Sequence, residues 1–343
     1  MLHELPDFEL FAPTTLADAV QVLGKHAGKA KIIAGGTDLL GLMKDRICGN
    51  LMPMPEALVD IKRIGELRAV LHTESSSSIG ASVTLSEIAG DATLSERFAA
   101  LVQAARSVGT NQIRNMGTLG GNLCQRPWCW YFRHPAFDCF KKGGKQCYAI
   151  AGENSTYFSI YDLGVCVMAH PSDTAPALVA LGAEAEILGP QGKKSVPMAD
   201  FFLGPREVQD HVVAADEILA RVAIPKTEKK SVYIKQRIRN NWDFALASVA
   251  ASAIVEDGML SSVTVVLGGV APRPQKLEGL DDLVADGIGG VKARLDPTLR
   301  ERAHPLRLNR YKMRVISALA VRALESLSRG SSGDPDNAHS GLD

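Results

Sequence analysis

The chain has 343 residues, of which 46% are hydrophobic and 22% are charged. This composition is that of an ordinary globular protein, and at roughly 100–200 residues a domain the length fits two or three domains. The 38 basic residues balance the 38 acidic ones, so the net charge of zero argues against a nucleic-acid or membrane partner. We see no signal peptide and no apolar run near the about 18 residues of a transmembrane helix. We therefore expect a cytoplasmic protein whose cysteines remain reduced.

Short helices and strands mix in the first 225 residues. Thr84 and Glu87 form a capping box, which predicts that a helix begins there. Gly24 and Gly109 are plausible helix ends. The predicted helices cover 15–24, 99–108 and 175–181, and the predicted strands cover 31–34, 58–61, 79–84, 185–188 and 194–196.

The last third of the chain has a different order. The charged segment 226–230 resembles a linker and precedes strand-like runs over 231–237, 245–254 and 262–270. Three helix-like runs follow, of which the last covers 309–328. Strands followed by helices predict an α+β domain. The polar tail 329–343 is expected to be disordered.

Two glycine-rich loops are candidates for ligand binding. Gly35-Gly36-Thr37 follows a predicted strand, and the second loop, 117–122, follows a predicted helix. Glycine lets the backbone approach a ligand and present N–H groups to an anion, so two such loops could hold a diphosphate between them. Neither has the spacing of a Rossmann fingerprint or a P-loop. The alternative is that both are simply tight turns.

Longer strings around these loops resemble one family, the FAD-binding medium subunits of molybdenum hydroxylases. That family includes carbon monoxide dehydrogenase, xanthine dehydrogenase and aldehyde oxidoreductases. The resemblance covers about residues 5–328. The strings that carry it are Ile33–Leu40, Arg114–Leu123, His170–Asp173, Tyr233–Arg237, Trp242–Ala245 and Leu267–Pro272.

The resemblance implies an α+β fold with an FAD-binding domain over 1–225, of the carbon monoxide dehydrogenase flavoprotein (PCMH) type. Its two subdomains would cover about 1–60 and 61–225, with an iron–sulfur insert over about 123–168. The C-terminal domain, 226–328, would contain a three-stranded antiparallel sheet with helices.

The resemblance also implies a set of FAD contacts. The diphosphate would be wrapped by Ile32, Ile33, Ala34, Gly35, Gly36, Thr37, Asp38 and Leu39, and further contacts would come from Gly117, Thr118, Gly121 and Asn122. Asp173 would bond a ribose hydroxyl, Cys124 would face the FAD, and Ile218 and Leu219 would pack near the flavin ring. Lys235 would supply positive charge to a reduced flavin. Two alternatives stay open, that Asp173 only serves a helix dipole and that Lys235 is solvated.

Five of the six cysteines lie in the segment implied to be an insert, and the resemblance implies four of them as metal ligands: Cys129, Cys139, Cys147 and Cys166. A minority of the family, similar to the 4-hydroxybenzoyl-CoA reductase and periplasmic aldehyde oxidoreductase types, carries a [4Fe–4S] cluster in such a segment. Four thiolates can bind that cluster from a long loop, and the basic residues around them would offset its charge. Cys48 is expected to be an ordinary buried cysteine.

Other interpretations of these cysteines remain. Zinc also takes four cysteines, although it prefers two short Cys-x(2–4)-Cys pairs, and only Cys124 and Cys129 are spaced in that way. An absence of metal is a third possibility, and disulfides are the least expected in a reducing compartment.

The sequence therefore predicts an electron-transfer flavoprotein subunit that carries FAD and a [4Fe–4S] cluster. By resemblance, its partners are a large molybdenum-cofactor subunit and a small subunit with [2Fe–2S] clusters, with ferredoxin or a similar external carrier. We predict no catalytic acid, base or nucleophile in this chain. Export with a partner would place the complex in the periplasm. The alternatives are a zinc-stabilised assembly protein and a stand-alone flavin oxidase.

Overall fold

The computed structural model describes residues 4–26, 28–285 and 287–330. Its helices are α1 (Leu16–Lys25), α2 (Leu39–Lys44), α3 (Leu85–Gly90), α4 (Ala92–Arg97), α5 (Ala99–Ser107), α6 (Asn111–Met116), α7 (Leu119–Leu123), α8 (Thr174–Ala180), α9 (Met198–Phe201), α10 (Leu280–Val284), α11 (Val291–Glu301) and α12 (Lys312–Ser328). Its strands are β1 (Glu9–Phe11), β2 (Ala30–Ile33), β3 (Ala57–Asp60), β4 (Val70–His72), β5 (Ser76–Gly80), β6 (Glu184–Gly189), β7 (Gly192–Pro197), β8 (Ile218–Pro225), β9 (Lys230–Gln236), β10 (Ala247–Glu256), β11 (Met259–Gly268) and β12 (Gln275–Lys276). None of the helices in these ranges is both long and apolar enough to cross a bilayer.

The strands form three sheets that follow one another along the chain. The first sheet is parallel, in the order β1-β3-β2. The second is antiparallel, in the order β4-β5-β8-β6-β7, and the third is antiparallel, in the order β12-β11-β10-β9. The mixture of helix and sheet confirms the predicted α+β class. The sheets follow the predicted division of the chain, while the domain boundaries stay a prediction.

Several predicted elements are observed close to their expected positions. The capping box is present, since Thr84 Oγ1 accepts from the backbone N–H of Glu87 while the Glu87 side chain accepts from the N–H of Thr84. The predicted hairpin is β6–β7. The C-terminal sheet has a fourth strand, β12, besides the three expected ones. With only two residues, β12 is too short to show a periodic pattern.

The strand predicted over 79–84 begins earlier and ends at Gly80. In β5 the side chains of Ser77 and Ile79 are both fully buried, while those of Ser76 and Ser78 are only partly buried. The alternation of buried and less buried side chains that is typical of a strand therefore lies in a serine-rich stretch. A pattern based on apolar residues misses such a stretch because serine is usually exposed. The central strand β8 was also not predicted as a strand.

The segment over about 123–168 that was predicted to be an insert, called the inserted segment below, contacts Lys312 of α12 and Asn309 before that helix near its C-terminal end. Lys312 Nζ donates to the carbonyl oxygens of Phe158, at 2.9 Å, and Gly269, at 2.8 Å. Asn309 Nδ2 donates to the carbonyl oxygen of Ser159 at 3.0 Å. Asn309 and Lys312 are both fully buried, and we call this pair the C-terminal clamp.

Burial of Lys312 should make stability depend on pH. Burial lowers the pKa of Lys312 from 10.5 to about 7. Between these values the unfolded chain binds more protons than the folded one, so the free energy of unfolding should rise with pH, by up to about 1.4 kcal/mol per pH unit. We expect the stability of the wild type relative to Lys312→Met to rise from pH 7 to pH 9, measured by urea unfolding.

Lys292→Met is the control for this experiment, because Lys292 is exposed on α11. Its stability relative to the wild type should not change over the same range of pH. A pH-independent difference between the wild type and Lys312→Met would contradict the prediction.

Candidate functional site

The two glycine-rich loops lie directly against each other. A Cβ atom on Gly35 would lie 1.9 Å from the carbonyl oxygen of Met116, so only glycine permits this approach. Gly36 has a φ of +71°, a conformation that favours glycine. A Cβ on Gly117 would lie 3.6 Å from Thr37 Oγ1. The first loop follows the strand β2, the second follows the helix α6, and the two loops are in contact.

A cavity of about 340 Å³ opens beside these loops. Its wall contains most of the residues predicted to bind FAD, namely Ile32, Ala34, Gly35, Gly36, Thr37, Asp38, Leu39, Thr118, Gly121, Cys124, Ile218 and Leu219. The wall also contains Lys31, Arg126, Asp210 and His211, which the sequence analysis did not select.

Ile33, Gly117, Asn122, Asp173 and Lys235 are the predicted residues that do not line this cavity. Asn122 Oδ1 instead accepts hydrogen bonds from the hydroxyl groups of two residues near the start of α8, at 2.6 and 2.7 Å. This ties the second glycine loop to α8. Contact with FAD stays a prediction for these five residues and for those that line the cavity.

Asp173 and Lys235 form a buried ion pair, with 2.7 Å between Oδ2 and Nζ. The other carboxylate oxygen of Asp173 accepts from the hydroxyl group of Tyr233 at 2.6 Å. Burial, followed by the Asp173 charge, raises the pKa of Tyr233, which keeps its hydroxyl a donor. Lys235 is therefore not solvated, and Asp173 does more than serve a helix dipole.

Asp173→Asn should lower the free energy of unfolding by about 3 kcal/mol, because removing one partner leaves Lys235 charged and unpaired in the interior. Urea unfolding at neutral pH measures this change. The exposed Asp7 is the control, since Asp7→Asn should change stability by less than about 0.5 kcal/mol. The double variant Asp173→Asn/Lys235→Met should recover part of the loss. An Asp173→Asn protein as stable as the wild type would contradict this prediction.

Charged groups converge on one side of the cavity. Arg126 Nη1 lies 2.7 Å from Asp210 Oδ2, and Lys141 Nζ lies 2.6 Å from Asp210 Oδ1. Burial alone would raise the pKa of Asp210, but the charges of Arg126 and Lys141 outweigh it and hold the pKa below its usual range. Burial lowers the pKa of His211 to about 4, so its imidazole is neutral at pH 7.

Two nitrogen atoms in this wall are buried and have no hydrogen-bond partner in the structure: Arg126 Nε and His211 Nδ1. Lys31 adds a further cation, whose pKa is lowered by burial and then by the charge of Arg126. A diphosphate would accept a hydrogen bond from Arg126 Nε, because anions bind to glycine-loop N–H groups and to guanidinium groups. The residues present therefore fit the diphosphate of FAD.

The other three predicted cluster ligands each interact electrostatically with Cys147. A hydrogen bond from Cys166 lowers the pKa of Cys147 to about 6. Burial raises the pKa of Cys129 to about 12 and also raises the pKa of Cys139, and in both the charge of Cys147 adds to the shift. Cys129, Cys139 and Cys166 are buried, and all four are free thiols.

Three of these thiols, Cys129, Cys139 and Cys147, belong to a small hydrophobic core that also contains Leu42 of α2 and Ile47. Within the described ranges, no three His, Cys, Asp or Glu side chains converge as they would around a single metal ion. The thiols interact in pairs around Cys147 instead. Their role as ligands stays a prediction.

The other two cysteines differ from these four. Cys124 lines the cavity beside the second glycine loop, and burial raises its pKa to about 12. Cys48 is exposed, so the expectation of a buried cysteine was wrong. It lies in the turn after α2, next to the bridge between Gly49 and Met52, where its side chain faces solvent.

Residues 6–227, more than half of the chain, match the model of the FAD-binding domain in molybdopterin dehydrogenases. The chain belongs to this family. It is 34% identical over 303 residues to the FAD-binding subunit PaoB of an Escherichia coli K12 aldehyde oxidoreductase, a match that covers 87% of this chain and 90% of that protein. It is 27% identical over 276 residues to the carbon monoxide dehydrogenase medium chain of Hydrogenophaga pseudoflava, a match that covers 80% of this chain and 78% of that protein.

Solved structures of this family share the fold. The structure of reconstituted CO dehydrogenase from Oligotropha carboxidovorans gives a TM-score of 0.74 at 22% identity, over 95% of this chain and 99% of that one. Quinoline 2-oxidoreductase from Pseudomonas putida 86 gives a TM-score of 0.73 at 22% identity, over 96% and 100%. The resemblance to FAD-binding medium subunits of molybdenum hydroxylases is thus confirmed, and the chain is an oxidoreductase subunit.

Proposed function

We propose that this chain transfers electrons within a molybdenum hydroxylase, between FAD in the glycine-loop cavity and a [4Fe–4S] cluster on Cys129, Cys139, Cys147 and Cys166. One observation carries the proposal. A single segment supplies both the wall of the cavity, through Cys124 and Arg126, and the four neighbouring thiols.

The FAD part of the proposal rests on the cavity. The glycine loops present backbone N–H groups, and Arg126 and Lys31 supply positive charge for the diphosphate. Ile218 and Leu219 give an apolar surface for the flavin ring. The buried pair Asp173–Lys235 would lie at the ribose and flavin end. The residues of the cavity wall would bind and orient FAD and exclude water from it, and a contact of Asp173 and Lys235 with FAD is part of the proposal.

The cluster part of the proposal rests on the four thiols. Thiolates are the usual ligands of such clusters, and each of the four irons takes one, so the sulfur atoms lie further apart than around one ion. Lys142 favours the Cys139 thiolate, and Lys141 favours the Cys166 thiolate. The surrounding hydrophobic core would keep the cluster from water.

Relatives in the family support a proposal about partners. The relatives include medium chains and FAD-binding subunits, so we propose a large molybdenum-cofactor subunit and a small [2Fe–2S] subunit as partners here. FAD supplies the exchange between two-electron and one-electron steps. The cluster would connect the FAD to an external carrier such as ferredoxin.

An anaerobic ultraviolet–visible spectrum of the purified full-length chain tests this function, with FAD, iron, sulfide and zinc assayed on the same sample. We expect flavin bands, a broad shoulder near about 400 nm, and about four iron and four sulfide per chain. Flavin with zinc, or with no metal, would remove the cluster but keep the flavoprotein assignment. A folded chain without flavin would overturn the proposal.

A further inference from the structure

A buried chain of three charges connects the inserted segment with the FAD cavity. Lys141 lies in the middle of the insert, Asp210 lies in the loop over the cavity, and Arg126 lies in the cavity wall. The side chains of Lys141 and Asp210 are each only 1% exposed. Lys141 Nζ also donates to the carbonyl oxygen of Gln209 at 3.2 Å, so the pair is fixed in one geometry.

Asp210 and Arg126 line the cavity, whereas Lys141 does not. Lys141 would therefore act on a ligand in the cavity through its ion pair with Asp210 and its hydrogen bond to Gln209, two residues that both line the cavity. Two cations against one carboxylate leave one net positive charge in this group. The buried Arg126 Nε, which has no partner in the structure, is the donor that remains for an anion.

We propose that Lys141 is a positioning residue for FAD, because it neutralises Asp210 and so leaves the charge of Arg126 available to the diphosphate. Without Lys141, the carboxylate of Asp210 would be paired with Arg126 alone. The net charge of the group formed by Lys141, Asp210 and Arg126 would fall from one to zero. This inference rests on the proposed FAD site and does not require the iron–sulfur cluster.

The insert contains a matched control in the adjacent residue. The side chain of Lys142 is also 1% exposed, but its Nζ donates to the carbonyl oxygen of His134 at 2.9 Å, inside the insert. Lys141→Met and Lys142→Met thus remove the same charge and the same buried ammonium from the same turn. Only Lys141→Met removes a partner of Asp210, which lines the cavity.

The test is titration of FAD into flavin-free full-length protein, followed by quenching of flavin fluorescence, with thermal unfolding recorded for each variant. We expect Lys141→Met to weaken FAD binding by about tenfold or more, because a charge is lost close to a buried diphosphate. Lys142→Met should bind FAD within about twofold of the wild type. Lys141→Arg, which keeps the ion pair, should bind like the wild type.

The double variant Lys141→Met/Asp210→Asn separates charge from packing. It restores one net positive charge on Arg126, so FAD binding should recover although the ion pair is gone. Three results would overturn the inference: wild-type affinity in Lys141→Met, equal losses in Lys141→Met and Lys142→Met, or no recovery in the double variant. A wild-type chain that does not bind FAD would instead overturn the proposed function, and the inference with it.

Discussion

Gly35→Ala should abolish FAD binding. The added Cβ would lie 1.9 Å from the carbonyl oxygen of Met116 and 3.1 Å from the backbone nitrogen of Gly117. Both contacts are with backbone, which cannot move aside as a flexible side chain can. The two glycine loops would have to separate, and the cavity that depends on their contact would lose its shape. FAD content of the purified variant, measured by absorbance after heat release, should be near zero.

Gly41→Ala is the control for this experiment. Gly41 lies in α2, just after the first glycine loop, and a Cβ there would meet nothing within 4 Å. Alanine favours a helix by about 1 kcal/mol over glycine, so this variant should keep FAD and gain stability. A Gly35→Ala protein with wild-type FAD content would show that the loops do not need this close contact.

Cys147→Ser should remove most of the iron from the protein while leaving FAD in place. Cys147 lies at the centre of the four thiols, since it accepts a hydrogen bond from Cys166 and its charge acts on Cys129 and Cys139. Serine is a poor ligand for iron where thiolate is the natural one. Iron and acid-labile sulfide, assayed anaerobically, should fall from about four per chain to less than one.

Cys48→Ser and Cys124→Ser test the specificity of this effect. Cys48 is exposed and Cys124 lines the FAD cavity, so both variants should keep their iron. Cys124→Ser should change the flavin spectrum instead. If Cys124→Ser loses iron and Cys147→Ser retains it, Cys124 is a cluster ligand and Cys147 is not.

The two glycine loops could be predicted from sequence because short runs of neighbouring residues indicate them. Gly35 and Gly36 follow a short apolar strand, and the Thr84–Glu87 capping box marks a helix within four residues. Such signals depend on a few neighbouring residues and on backbone conformations that few residue types adopt. Together with the family resemblance, they placed most of the predicted FAD residues in the cavity wall.

The charged side of the cavity was not predictable in the same way. Asp210 and His211 lie in a polar turn with no periodic pattern, and their role arises only when that turn meets Arg126 and Lys141 from the insert. Arg126 was the one that sequence could have indicated, since a cation soon after a glycine loop is a natural anion ligand. The burial of Lys312, which has no acidic partner, likewise depends on contacts 154 residues away.

The C-terminal clamp has a consequence for the order in which the protein is made. Phe158 receives its hydrogen bond from a lysine 154 residues later, so the inserted segment leaves the ribosome long before α12 exists to hold it. Contacts of such long range form late, because closing a long loop costs entropy before the contacts that offset it are made. We therefore expect the cysteine-bearing segment to remain open during synthesis and to close after the last helix docks. The four thiols would then reach their final arrangement only after synthesis, when α12 has docked.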